Sequence, residues 1–135
     1  MNDFDLDTIR ISLHILAACV WVGGQVVMAA LLPLLRSLGP DVPRQVANRF
    51  GRVAWPFFAL AVVTGVWNLL EIDVGDRSTA YHVTLAIKLF VVAATGSAAA
   101  VHSLTSSPAM RGITGAVGLV GSLAAVVFGV MLVWG

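Results

Sequence analysis

Three observations predict an all-α integral membrane protein, an up-down bundle of four helices. Of the 135 residues, 59% are hydrophobic and only 11% are charged, against about 45–50% and 25% in soluble domains. The apolar residues gather into four runs, near 11–35, 53–71, 80–101 and 113–134. Each run is about long enough to cross a bilayer at roughly 1.5 Å per residue. Short connections between the runs favour sequential antiparallel packing. Little chain is left for a soluble domain, so residues 1–135 read as a single transmembrane domain.

Span one follows an acidic start, Met1-Asn2-Asp3-Phe4-Asp5-Leu6-Asp7. A secretory signal would begin with basic residues, so the span is expected to stay as an anchor. It carries His14 and then Trp21-Val22-Gly23-Gly24. An ionisable group inside a span is costly and is usually kept for function. At about 100° per residue, Trp21 returns to the direction of His14, and Gln25 and Met28 follow within roughly 40°. Cys19, the only cysteine, points away from this stripe. It has no partner for an intrachain disulfide and lacks the companions of a zinc site. Pro33 falls near the end of the span.

The segment joining spans one and two holds Arg36, Arg44, Arg49 and Arg52, opposed by Asp41 alone. Arg111 belongs to the third connection, marked by Ser106-Ser107-Pro108, while Glu71, Asp73 and Asp76 outnumber Arg77 around the second. Cytoplasmic loops collect Lys and Arg, so connections one and three are expected inside. Both termini and the loop 72–79 are then outside. Pro40 and Pro43 punctuate the first connection, and Pro56 is expected in the first turns of span two, where its missing donor is tolerated. Thr64, Asn68 and Glu71 share one face of that span. Trp67 and Trp134 read as interfacial belt residues.

Span three repeats Tyr81, Lys88, Thr95 and His102 at seven-residue intervals. Polar stripes of this kind face a bundle interior rather than lipid. An ammonium near mid-membrane costs about 2.5–3.5 kcal/mol on insertion scales, so Lys88 calls for a partner. Glu71 or the carboxylate of a bound ligand would serve. By depth, the outer half gathers His14, Trp21, Asn68, Glu71, Tyr81, His82 and Lys88, leaving His102 near the cytoplasmic end. Span four, from 113 to 134, has no charged residue. Its small residues Gly115, Gly118, Ser122, Ala125 and Gly129 allow close backbone approach. Packing within the bundle is the favoured use of that face, ahead of docking to a second copy or a membrane partner.

Each candidate also has a plain structural reading. His14 can be an interfacial imidazole bonded to a neighbouring helix. His82 can mark a helix start at the water boundary, and His102, beside Ser103, a helix end. Arg49 and Arg52 can fix orientation and bind headgroups. The functional reading takes His14 and His82 as metal ligands, and His14, Trp21, His82, Lys88 and His102 as cofactor-binding residues. Imidazole ligates copper, iron and zinc. Two histidines on facing helices can hold haem b, with His14 and either His82 or His102 as axial candidates. Lys88 and the interface arginines would then meet the propionates. No residue pattern assigns a catalytic role. A net charge of +1 without a basic stripe gives no sign of a nucleic-acid partner, and the expected surroundings are the lipids of a bacterial cytoplasmic membrane.

These residues carry a resemblance. His14 followed by Trp21-Val22-Gly23-Gly24 resembles the opening helix of the copper-resistance protein D (CopD) family. Arg49-Phe50-Gly51-Arg52 and then Thr64-Gly65 are similar to its second helix. Tyr81 followed by Leu85-Ala86-Ile87-Lys88-Leu89 resembles its third, which has a similarly placed lysine. The likeness runs through the first three spans and implies copper handling or transport across the cytoplasmic membrane. A weaker similarity is to HemJ, a haem-associated protoporphyrinogen oxidase family, in which a histidine precedes a tryptophan in the first helix. Lysine then histidine occupy a later helix there, an order that Lys88 and His102 fit. The glycine pair and the Thr64-Gly65 step favour CopD. The resemblance thus implies copper or haem b as the bound group, and the plain reading is a cofactor-free accessory membrane subunit.

Overall fold

Four helical stretches long and apolar enough to cross a membrane make up most of residues 5–135, the part that the computed structural model describes. The acidic start at 1–4 lies outside the described residues, and no strand occurs among the others. The chain divides into two compact units, Met1–Ile72 and Asp73–Gly135. Each is a helical hairpin.

In the first hairpin, α1 (Leu6–Ala18) runs through a π-helical turn (Cys19–Gly23) into α2 (Gly24–Leu38), and α3 (Val42–Leu70) returns. Asp5 caps α1, its carboxylate accepting from the Thr8 backbone N–H and hydroxyl, both at 2.8 Å. These donors hold the Asp5 carboxyl below its ordinary pKa. Gly39 ends α2 at φ +156°, a conformation side chains rarely adopt. Pro43, at the start of α3, needs no helical donor.

The helices outrun the apolar runs. Hydropathy marks where lipid contact begins, whereas helix boundaries are set by caps and turns. As a result Arg44, Arg49 and Arg52 lie on α3 rather than in a loop, and the first connection shrinks to residues 39–41. Pro56 is also displaced from its expected place. It lies well inside α3, where its missing N–H leaves the Arg52 carbonyl without its helical partner.

The second hairpin joins α4 (Thr79–Leu104) to α5 (Pro108–Trp134). Ser78 and Ser107 cap them, accepting from the N–H groups of Tyr81 and Met110 at 3.1 and 3.3 Å. At the centre, the Thr95 hydroxyl donates to the Gly118 carbonyl at 2.7 Å and lies 3.2 Å from the Ser122 hydroxyl. A Cβ on Gly121 would come within 2.9 Å of the Thr95 hydroxyl. The small-residue face of α5 is therefore covered by α4, the packing use favoured from the sequence.

The burial pattern inverts that of a soluble protein. Ala17, Ala54, Thr64, Thr95 and Ser122 are almost fully enclosed, while Phe90 is 74% exposed. Small and hydroxyl side chains let helix backbones approach and bond, and large apolar ones are left for lipid.

Candidate functional site

In hairpin one, His14 lies against α3. Its Nδ1 is 3.0 Å from the Thr64 hydroxyl. That hydroxyl is 2.6 Å from the Leu60 carbonyl, to which it must donate because a carbonyl only accepts. With its one proton spent there, Thr64 accepts from His14, so Nδ1 carries the proton and the neutral ring has its lone pair on Nε2. Gly65 leaves room for the ring, since a Cβ there would sit 3.2 Å from His14 Cε1. The Thr64-Gly65 step thus supplies an acceptor and a gap to one imidazole.

Trp21, two turns further along, is buried inside the π turn. Its ring packs on Trp55 and Phe58 of α3, with centroids 5.4 and 4.5 Å away. The indole N–H has no hydrogen-bond partner. A π turn inserts an extra residue and slips the helical register, so the stripe drawn for an ideal helix does not run straight from His14 to Gln25 and Met28. Gln25 instead turns back to donate to the Trp21 carbonyl at 3.1 Å. Cys19 is exposed. Gly24 lies against Phe50, whose ring a Cβ would strike.

In hairpin two, Lys88, Thr95 and His102 of the seven-residue stripe face α5. Lys88 lies over Gly129, where a Cβ would be 3.3 Å from Nζ. His102 lies over Gly115, where a Cβ would be 3.2 Å from Cε1, and its Nδ1 is 2.9 Å from the Arg111 carbonyl. The carbonyl only accepts, so this ring too has Nδ1 protonated when neutral and its lone pair on Nε2. His82 is exposed, and its Nε2 donates to the Val74 carbonyl at 2.8 Å, pinning the preceding loop to the start of α4.

The candidates divide between the hairpins, His14 and Trp21 in one and His82, Lys88 and His102 in the other. Among the described residues, no group of three or more His, Cys, Asp or Glu side chains is placed to hold a metal ion. Glu71, expected as a partner for Lys88, is engaged within its own hairpin. Its Oε1 accepts from Trp67 Nε1 at 3.0 Å, and its Oε2 is 3.9 Å from Arg10 Nη1. Arg10, which the sequence reading passed over, is buried on the inner face of α1. Its position four residues before His14 was the available signal, because i and i+4 share a helix face. Comparison with protein-family models, curated proteins and solved structures finds no match.

Proposed function

We propose that the chain is a multi-pass protein of a bacterial cytoplasmic membrane that handles copper through His14, as its resemblance to the CopD family implies. The seat of the His14 ring carries this reading. Metal-ligating imidazoles commit one nitrogen to a neighbouring acceptor and offer the other to the metal. His14 gives Nδ1–H to Thr64 and has its lone pair on Nε2. The excess of arginine around connections one and three supports four spans in up-down order, with both termini outside. His14 would then lie in the outer half, and Lys88 would act as a structural or gating charge. For the test, the full chain is purified in detergent and titrated with cuprous ion against a chromophoric chelator. His14→Ala should lower the bound stoichiometry at equal yield, and unchanged stoichiometry would remove His14 as a ligand.

A second reading, haem b, is favoured by His102, whose ring sits over a glycine with Nδ1 on an oxygen, as His14 does. Axial imidazoles are a standard means of holding haem iron, and bound haem would supply one-electron chemistry. His14 or His102 would supply an axial ligand through Nε2, whereas His82 has Nε2 committed to Val74. A Soret band that sharpens on reduction and weakens in His14→Ala supports this reading. Absence of the band after haem supplementation overturns it.

A further inference from the structure

Where α1 begins and α3 ends, a guanidinium is buried with two of its three nitrogens lacking a hydrogen-bond partner. Arg10 is only 6% exposed. Its Nη2 is 3.1 Å from the Asp7 carboxylate, and its Nη1 is 3.9 Å from that of Glu71. Its Cζ lies 6.0 Å from the centroid of the Trp67 ring. Nε and Nη1 are buried with no hydrogen-bond partner, and so is Oδ1 of Asn68. Asn68 follows Trp67 and precedes Glu71 by three residues, so it shares the end of α3 that Arg10 meets. Donors and acceptor are therefore left unused at one end of the hairpin.

Leaving buried polar groups unsatisfied is costly, most of all for a charged donor. Asp7 and Glu71 are largely exposed and reach the guanidinium from its rim. One cation and two carboxylates surround the spot. A simple anion would be repelled by the carboxylates, and a simple cation by Arg10. A group that joins an oxyanion to N–H donors satisfies every member. We propose that Arg10, Asn68 and Glu71 bind the headgroup of an aminophospholipid, with the phosphate on Arg10 and the ammonium toward Asn68 and Glu71.

Three features support this occupant. The site is at the ends of two spanning helices, the depth at which headgroups lie. Trp67 beside it is amphipathic, as residues of that layer are. The carboxylates of Asp7 and Glu71 at its rim are exposed and can be reached from the headgroup layer.

Native mass spectrometry of the full chain in detergent tests the assignment. The titrants are phosphatidylethanolamine, phosphatidylcholine of the same acyl chains, and inorganic phosphate. Phosphatidylcholine has the phosphate but no ammonium N–H, so the ethanolamine lipid should be retained about ten-fold better. Arg10→Met should erase that preference, and Arg10→Lys should restore part of it. Asn68→Leu should reduce it and leaves the Arg10 ion pairs in place, which keeps the test open if Arg10→Met misfolds. Helix content by circular dichroism confirms that each variant compared is folded. Equal retention of the two lipids, a preference unchanged in folded variants, or displacement of lipid by equimolar inorganic phosphate would overturn the proposal.

Discussion

His14, Lys88 and His102 each lie over a glycine of the adjoining helix, and the three seats differ in how much they can give. At Gly65 a Cβ would press on the imidazole ring, and at Gly129 on the end of a flexible lysine chain. Gly65→Ala should therefore cost about 1–3 kcal/mol in detergent unfolding, as overpacking does. Gly129→Ala should cost less, because Lys88 can swing aside. Equal costs would mean that ring and chain are held equally firmly. Thr64→Val separates position from chemistry. It leaves His14 Nδ1–H without this acceptor, with an expected loss of about 1–3 kcal/mol and a mixture of ring tautomers in nitrogen NMR. Thr95→Val, whose hydroxyl serves Gly118 and Ser122 in the other hairpin, should destabilise without changing the His14 tautomer.

The π turn at Cys19–Gly23 is a departure from the regular helix, which would have been the default for this apolar run. Such insertions are frequent at functional sites, and this one holds the buried Trp21. Deleting Val22 should restore a regular turn, raise the thermal midpoint and disturb Trp21 fluorescence. If copper or haem retention is unaltered in that variant, the turn has no part in binding. The start of α1 is sensitive to pH through its cap. The native Asp5 carboxyl sits below its ordinary value because Thr8 donates to the ionised form. In acid the unfolded state therefore binds the proton first. The cap's contribution is present above the ordinary Asp value of about 3.9 and is lost as pH falls through the lower native one. Amide exchange in the first turn of α1 should differ between wild type and Asp5→Ala at neutral pH and converge in strong acid.

At the scale of the molecule, four long helices expose most of their large apolar side chains, which commits the chain to a lipid environment. Arginine placement yields the topological expectation. A periplasmically active reporter fused at the carboxyl terminus should be active, and a cytoplasmically active one silent. The reverse result would invert the proposed orientation. Replacing Arg44, Arg49 and Arg52 with Gln should mix the two signals.

The four spans, the polar stripe of span three and the packing use of the small-residue face were legible in the sequence, because hydropathy and helical period are local properties. The partners of the polar groups were not, because they depend on which residues of the returning helix come opposite. Glu71 reads from sequence as a partner for Lys88, whereas its own helix gives it Trp67 and antiparallel packing brings it Arg10. Thr64-Gly65 reads as a motif, and only packing reveals it as an acceptor and a gap for His14. The π turn was hidden because its five residues are as apolar as a regular helix requires, and the extra residue shows only in the hydrogen-bond register. The sequence alone determined that this is a helical membrane protein with ionisable groups in its spans, since four apolar runs of spanning length would otherwise leave too much apolar surface facing water. Tertiary structure decided which nitrogen of His14 and His102 bears the proton, and that Arg10 is a buried cation, because both follow from groups that long-range packing brings together.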